Sequence, residues 1–269
     1  AATRWLMALL DPVSGRTPNL GANDGAYILP LSAQPFDDYR PVVQAAGAAF
    51  LRCLPVQAGA WDEMRLWFGL SASEKIGAQE TSYGHTALQN KIGILRHPNN
   101  PATWAYLRLA AFQDRPGHAD LLHVDLWNQG ENLALDAGAY LYNAPPPWDN
   151  ALTRTQVHNT VLVDNQEQMR RVGRFLYLDW VDTQLLSCEQ DGQGYLTKLA
   201  AQHEGYARLG AIHRRTISAK DNGAWLVDDH ILEQATGRIK AGASHSLCLH
   251  WLLPDYPWDL DNREDGVVL

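Results

Sequence analysis

The chain has 269 residues, 46% of them hydrophobic and 19% charged, which is enough to bury a sizeable core as one large or two ordinary domains. A formal net charge of −8 argues against a general nucleic-acid binder, because phosphate backbones are gripped by basic surfaces. It does not exclude an acidic sugar substrate, which needs only local cations in a cleft. No apolar run is long enough for a membrane span, and no signal peptide is read in AATRWLMALLDP. The three cysteines, Cys53, Cys188 and Cys248, are scattered and odd in number, so neither a zinc-thiolate site nor a disulfide framework is expected.

Residues 1–80 read as helical. After a Gly- and Pro-rich stretch between Asp11 and Pro35, Asp37 and Asp38 precede an Ala-, Val- and Leu-rich segment, Tyr39 to Cys53, with aspartate as its natural N-terminal cap. A second piece, Ala60 to Leu70, carries an apolar stripe of Trp61, Met64, Leu66 and Trp67. Helices this few and short do not make an all-α domain alone and are expected to be the tail of a larger helical array. From about Asn90 the pattern changes. Short segments rich in β-branched, leucine and aromatic residues recur: 91–96, 104–112, 121–127, 133–136, 160–164, 175–180, 195–200, 211–218, 224–231 and 246–253. The separators HPNNP, NQG, DGQG and DNG are turn formers. Strands at short spacing without alternating helices predict an antiparallel sandwich.

His118, Asp136 and His158 each fall near the end of a predicted strand, where an antiparallel fold can bring them to one edge. Two imidazoles and a carboxylate suit Zn²⁺ and leave a fourth position open. Spacing alone makes this a weak signal in a chain with ten histidines. A His-x-Asp pair at His123 and Asp125 competes with His118 and Asp120. On one strand the two pairs would face opposite sides and could not share a site. Trp127, Trp148 and Trp180 could stack on sugars or pack the core. Arg170, Arg171 and Arg174 could face an anionic sugar but are expected on a solvated edge, and His213, Arg214 and Arg215 on a strand surface. No Gly-x-Ser-x-Gly elbow, P-loop or dinucleotide-binding glycine pattern is present.

Four local words, in order, sharpen the reading: Gly117-His118-Ala119-Asp120-Leu121-Leu122, Asp136-Ala137-Gly138-Ala139-Tyr140, His158-Asn159-Thr160-Val161 and Gly173-Arg174-Phe175. Together with HRRTIS at 213–218 and HWLLPD at 250–255, they resemble the heparinase II/III-like family. The segment Pro18 to Gly25 is similar to the loop leading into that family's last toroid helices. The resemblance implies an α+β architecture, the end of an (α/α) toroid over 1–80 followed by an antiparallel β-sandwich over 85–269.

It further implies a structural metal, Zn²⁺, on His118, Asp136 and His158, with Asp120 as hydrogen-bond partner of an imidazole N–H and Tyr140 facing substrate. The implied activity is that of a carbon–oxygen lyase, β-elimination on an acidic, uronate-containing polysaccharide or oligosaccharide. The sequence leaves the compartment open, and the periplasm or the cell exterior is favoured for the parent protein because polymer-degrading enzymes usually meet their substrate there. Pro116 stands where active members often carry a histidine, and the family's catalytic Asn and Tyr lie upstream, so no catalytic residue is assigned in this chain. The alternative is a carbohydrate-binding or structural sandwich that keeps the metal without catalysis.

Overall fold

The computed structural model describes residues 1–71, 92–234 and 244–268, apart from Ala22, Asp24, Asn222, Leu260, Glu264 and Asp265. Helix α1 (Ala2–Leu9) buries Met7, Ala8 and Leu9. Asp11 then closes a turn, its Oδ1 taking the N–H of Val13 at 3.1 Å and of Ser14 at 2.7 Å. The helix expected from Tyr39 runs as α2 (Arg40–Ala46) and widens into a π-turn over Gly47–Leu51. Pro41 fits its first turn, where a missing N–H costs nothing. Asp38 sits just before the cap and takes the Arg40 N–H at 2.9 Å. A 3₁₀ turn (Ala60–Asp62) leads into α3 (Glu63–Trp67).

Strands β1 (Ile92–His97), β2 (Asn100–Arg108), β3 (Val124–Asn128) and β4 (Glu131–Ala134) form an antiparallel sheet in chain order. The NQG separator makes the β3–β4 turn, with φ of 53° at Gln129 and 90° at Gly130, the double left-handed geometry that matches strand twist. Next come β5 (Val161–Val163), β6 (Arg170–Gly173) and β7 (Leu176–Leu178), the last two a hairpin. A second four-stranded antiparallel sheet holds β8 (Thr183–Gln190), β9 (Leu196–His203), β10 (Ala211–Ala219) and β11 (Trp225–Glu233). Finally β12 (Leu247–Leu249) pairs with β5, and β13 (Asp261–Arg263) with β14 (Gly266–Val268). Every expected strand overlaps an observed one. Helix α1 falls within the stretch read as helical without having been placed individually, and strands β6, β8, β13 and β14 carry no clear signal in the sequence.

The two four-stranded sheets share one apolar core, in which Leu95, Ala105, Leu107 and Val124 meet Leu196, Leu199, Ala201 and Ile217. On the other face of the first sheet, Ile92, Ile94, Trp104, Tyr106 and Trp127 pack against Ala8 and Leu9 of α1. Strand β1 is therefore buried on both faces throughout, as its unbroken burial shows. Trp104 and Trp127 stack with ring centroids 5.2 Å apart, and the Trp104 indole N–H donates to Asp11 at 2.9 Å. Trp127 is thus a core residue and not a sugar platform.

Candidate metal centre

His118 lies in the loop between β2 and β3, Asp136 two residues past β4, and His158 just after a 3₁₀ turn (Thr155–Val157) that precedes β5. The three side chains converge, with one donor atom from each lying within 4.8 Å of the others, and could hold a metal ion. His158 Nε2 is 3.2 Å from His118 Nδ1 and 3.3 Å from Asp136 Oδ2. A tetrahedral ion with arms of about 2.0–2.2 Å separates its ligand atoms by roughly 3.3–3.6 Å, so these spacings need little adjustment.

The surroundings fix the orientation of two of these groups. His158 donates its Nδ1 proton to the Arg154 carbonyl at 2.7 Å, which leaves the Nε2 lone pair pointing at the cluster. Asp136 has one oxygen occupied, Oδ1 accepting from Asn19 Nδ2 at 2.8 Å and from the Gly138 N–H at 2.7 Å. Its Oδ2 is left for the cluster. His118 Nε2 is buried without a hydrogen-bond partner among the described residues.

Electrostatics favour a positive charge here. Burial pushes the Asp136 carboxyl up, but the hydrogen bond to His158 and the surrounding imidazoles outweigh it and hold it well below the usual carboxylate range. Burial pulls His158 down, yet Asp136 and then Asp120 prevail and raise it. His118 is lowered, chiefly by burial. With no ion bound, the raised His158 holds a proton on Nε2 against Asp136, and a metal ion would take that proton's place.

Asp120 is buried beside the cluster and pairs with Arg108 at 3.3 Å. Its charge acts on both His118 and His158, while its Oδ1 is without a hydrogen bond among the described residues. Tyr140 is exposed and sits edge-on to Trp148, ring centroids 5.6 Å apart.

The expectation that His123 and Asp125 face away from the cluster is corrected. Residues 118–123 are not strand: Leu122 adopts φ 57° and the His123 N–H returns to the Asp120 carbonyl at 3.1 Å. That turn places His123 Nε2 3.8 Å from Asp136 Oδ2. Both its nitrogens are occupied, Nδ1 accepting the Asn159 N–H at 3.0 Å and Nε2 bonding Asp125 at 2.8 Å. Burial pushes the Asp125 carboxyl up. His123 is a wall of the cluster with no lone pair to spare.

The residues around the ligands explain the sequence words. Asn159 donates to the carbonyls of Val124 at 2.8 Å and Leu135 at 3.1 Å, and accepts the Leu252 N–H at 2.6 Å. One side chain thereby ties HWLLPD to the strands flanking Asp136. Arg215, read as strand surface, is fully buried. Its Nη1 binds the carbonyls of Leu122 at 2.7 Å and Asn159 at 2.6 Å, and its other nitrogens clasp Asp229 at 2.7 and 2.8 Å. His213 is buried too, bonding Asp229 at 2.7 Å and His203 at 3.2 Å. Both side chains turn inward because alternate residues of β10 face the shared core, where Asp229 and the loop carbonyls satisfy them. Asn19 and Arg215 were not foreseen as neighbours of the site. Arg170 does lie exposed on the β6 hairpin, paired with Asp179, whereas the Arg171 side chain is largely covered against Asp149.

A family model described as "Heparinase II/III-like, C-terminal" matches residues 85–267. No curated protein matches. Among solved structures, a mutant of the heparan sulfate lyase HepC from Pedobacter heparinus aligns over 92% of this chain and 33% of its own, with 18% identity and a TM-score of 0.53. A structure titled heparinase III aligns over 87% and 34%, with 14% identity and a TM-score of 0.54. The chain thus spans about a third of the length of these enzymes, and the likeness at such identity concerns the fold. With the family model covering most of its length, the chain belongs to the heparinase II/III-like family.

Proposed function

We propose that this chain forms part of a polysaccharide lyase that cleaves uronic-acid-containing glycans by β-elimination, with a structural Zn²⁺ on His118, Asp136 and His158. In this reading residues 1–80 close an (α/α) toroid and residues 85–269 form the β-sandwich. The observation that carries the metal assignment is the convergence of three buried donor atoms, one of them with its lone pair set by the Arg154 carbonyl. Imidazole favours zinc, copper, iron or nickel over hard cations, and zinc suits two His and one carboxylate without redox chemistry. Asp120 serves as hydrogen-bond partner to the His118 ring once the ion is bound.

The substrate would lie in the cleft of about 570 Å³ beside Asp136, whose walls include Arg16, Asn19, Tyr39 and Asn132. Arg16, whose Nη2 also holds the Gly130 carbonyl at 2.8 Å, is the cation in that lining, and Tyr140, on the loop that follows Asp136, is assigned to contact the substrate. In β-elimination a base removes the C5 proton, the C4–O bond breaks, a C4=C5 double bond forms and the leaving oxygen gains a proton. Neutralising the carboxylate acidifies that C5 proton, and donors aimed at the enolate stabilise it. Similarity to enzymes named as heparan sulfate lyases supports a glycosaminoglycan as the substrate class.

A second reading, a glycan-binding or structural module that retains the metal, is favoured by one observation. Pro116 is buried at the position where the family's enzymes often carry a histidine. Incubating the full-length protein with uronate polysaccharides separates the two: growth of the ultraviolet absorbance of an unsaturated uronate supports the lyase, and glycan binding without that absorbance supports the module. Metal analysis of protein purified without chelator tests the zinc independently, with one ion per chain expected and none sinking the assignment.

A further inference from the structure

A second cleft, of about 540 Å³, opens between the segment joining β7 to β8, the paired residues Gln184 of β8 and Gln202 of β9, and the segment joining β9 to β10. Its volume falls in the range of small-molecule sites, about 300–1,000 Å³. We propose that this cleft is a carbohydrate site for an uncharged sugar, separate from the acidic-glycan cleft beside Asp136. Nothing in the proposal depends on catalysis or on the metal.

Trp180 supplies the platform. It is 45% exposed, yet its indole N–H is fixed to the Tyr177 carbonyl at 2.8 Å, so the ring is held in place before any ligand arrives. An anchored and exposed aromatic face pairs naturally with the apolar C–H face of a pyranose. The polar walls suit hydroxyl groups. The Gln184 and Gln202 amides bond each other at 3.1 Å, with Gln202 Oε1 held by Arg214 at 2.9 Å, which leaves Gln184 Nε2 able to donate. Asp182 spends Oδ1 on the Phe112 N–H at 2.9 Å and keeps Oδ2.

Charge selects the class of sugar. Among the lining residues, Asp179, Asp182 and Glu204 face one cation, Arg208, while Asp179 is bonded to Arg170 at 2.9 Å, which leaves Asp182 and Glu204 as the uncompensated charges. That guanidinium is already committed to the carbonyls of Gly205 and Glu167. His203 forms part of the lining and is neutral: burial pushes its pKa well down, and its Nδ1 accepts the Gly205 N–H at 3.0 Å. A uronate or sulfate would meet carboxylates with no free cation, whereas hydroxyls find both donors and acceptors.

The cleft also backs onto the metal loops. Gln168, in its lining, holds the N–H of Leu121 at 2.8 Å and its carbonyl at 3.0 Å, and touches Thr160 Oγ1 at 3.3 Å.

Saturation-transfer NMR on the purified chain tests this with cellobiose, N,N′-diacetylchitobiose and an unsaturated uronate disaccharide. At least one uncharged disaccharide should bind saturably. Its affinity should fall about tenfold or more in Trp180→Ala, the loss of one stacking contact, and recover within about threefold in Trp180→Phe. Chelator should leave that binding unchanged, which separates this cleft from the metal centre. Absence of saturable binding by both neutral sugars, equal or tighter binding of the uronate, or full binding by a folded Trp180→Ala would each overturn the proposal.

Discussion

The Nδ1 proton of His158 rests on the Arg154 carbonyl at 2.7 Å, and that one hydrogen bond decides which ring nitrogen faces Asp136. His158 is consequently the hinge of the cluster, with Nε2 close to both partners. His158→Ala should abolish metal binding and lower the melting temperature by as much as chelator lowers it in the parent. A ligand at a hundred times its Kd stabilises by about 2.7 kcal/mol. The variant itself should be indifferent to chelator. His123→Ala should cost about 1–3 kcal/mol, because the Asn159 N–H and Asp125 lose a partner, and should still carry the ion. Elemental analysis beside thermal melting checks both. Metal retained in His158→Ala would contradict the ligand set.

Asn19 stands 117 positions before Asp136 and holds its Oδ1 at 2.8 Å. Removing a residue that orients a ligand commonly costs about 10–100-fold in metal affinity, and Asn19→Ala should do so with the fold intact. Competition titration against a zinc chelator measures it. Asn19→Asp should be worse, since a second carboxylate would face the first.

Asn159 satisfies two carbonyls and one N–H from three separate segments. Asn159→Ala leaves those buried groups unpaired at about 1–3 kcal/mol each, so a loss of more than about 3 kcal/mol is expected. Asn159→Asp keeps the bond from Leu252 but loses both donations and places a charge against carbonyls, so it should be no better. Urea unfolding gives the number; a change below 1 kcal/mol would show that water replaces the amide.

His203 gives stability a pH dependence of definite sign. Burial, reinforced by His213 and Arg215, keeps the folded pKa well below the ordinary histidine value of about 6.5 that applies in the unfolded chain. Below 6.5 the unfolded chain binds a proton that the folded chain refuses. The contribution is therefore complete above pH 6.5 and is withdrawn as pH falls toward the depressed folded value, at up to roughly 1.4 kcal/mol per pH unit. His203→Gln should be less stable at pH 7 yet show a shallower decline between pH 6.5 and 5 in urea melts. An unchanged slope would locate the effect elsewhere, His213 being the next group buried in the same sense.

How much of this was legible depends on the range over which each residue acts. Turn formers and β-rich runs act locally, so the strands from β1 to β5 and from β9 to β12 could be placed from their own residues. Strand β8, TQLLSCEQ, could not, because it is exposed along nearly its whole length and has no apolar alternation to reveal it. The words containing His118, Asp136 and His158 marked the cluster. The turn that delivers His123 to its wall relies on a left-handed Leu122, a conformation leucine rarely announces. Arg215 reads as a surface residue until Asp229, fourteen positions on, and the Leu122 and Asn159 carbonyls are seen around it. Burial of a charge is a property of its partners, and these are distant in sequence.

That same bridge from Arg215 sets when the cluster can form. His118 and His158 lie 40 positions apart, and the loops that carry them are joined through a strand 93 residues beyond Leu122. Arg215 can hold both loops only once the second sheet has docked on the first, so the cluster is expected to set late in folding. An ion bound there would act as a latch on the finished structure and not as a seed for it. Its signature would be slower unfolding with an unchanged folding rate, so that loss of the metal would shorten the lifetime of the native state without hindering its formation.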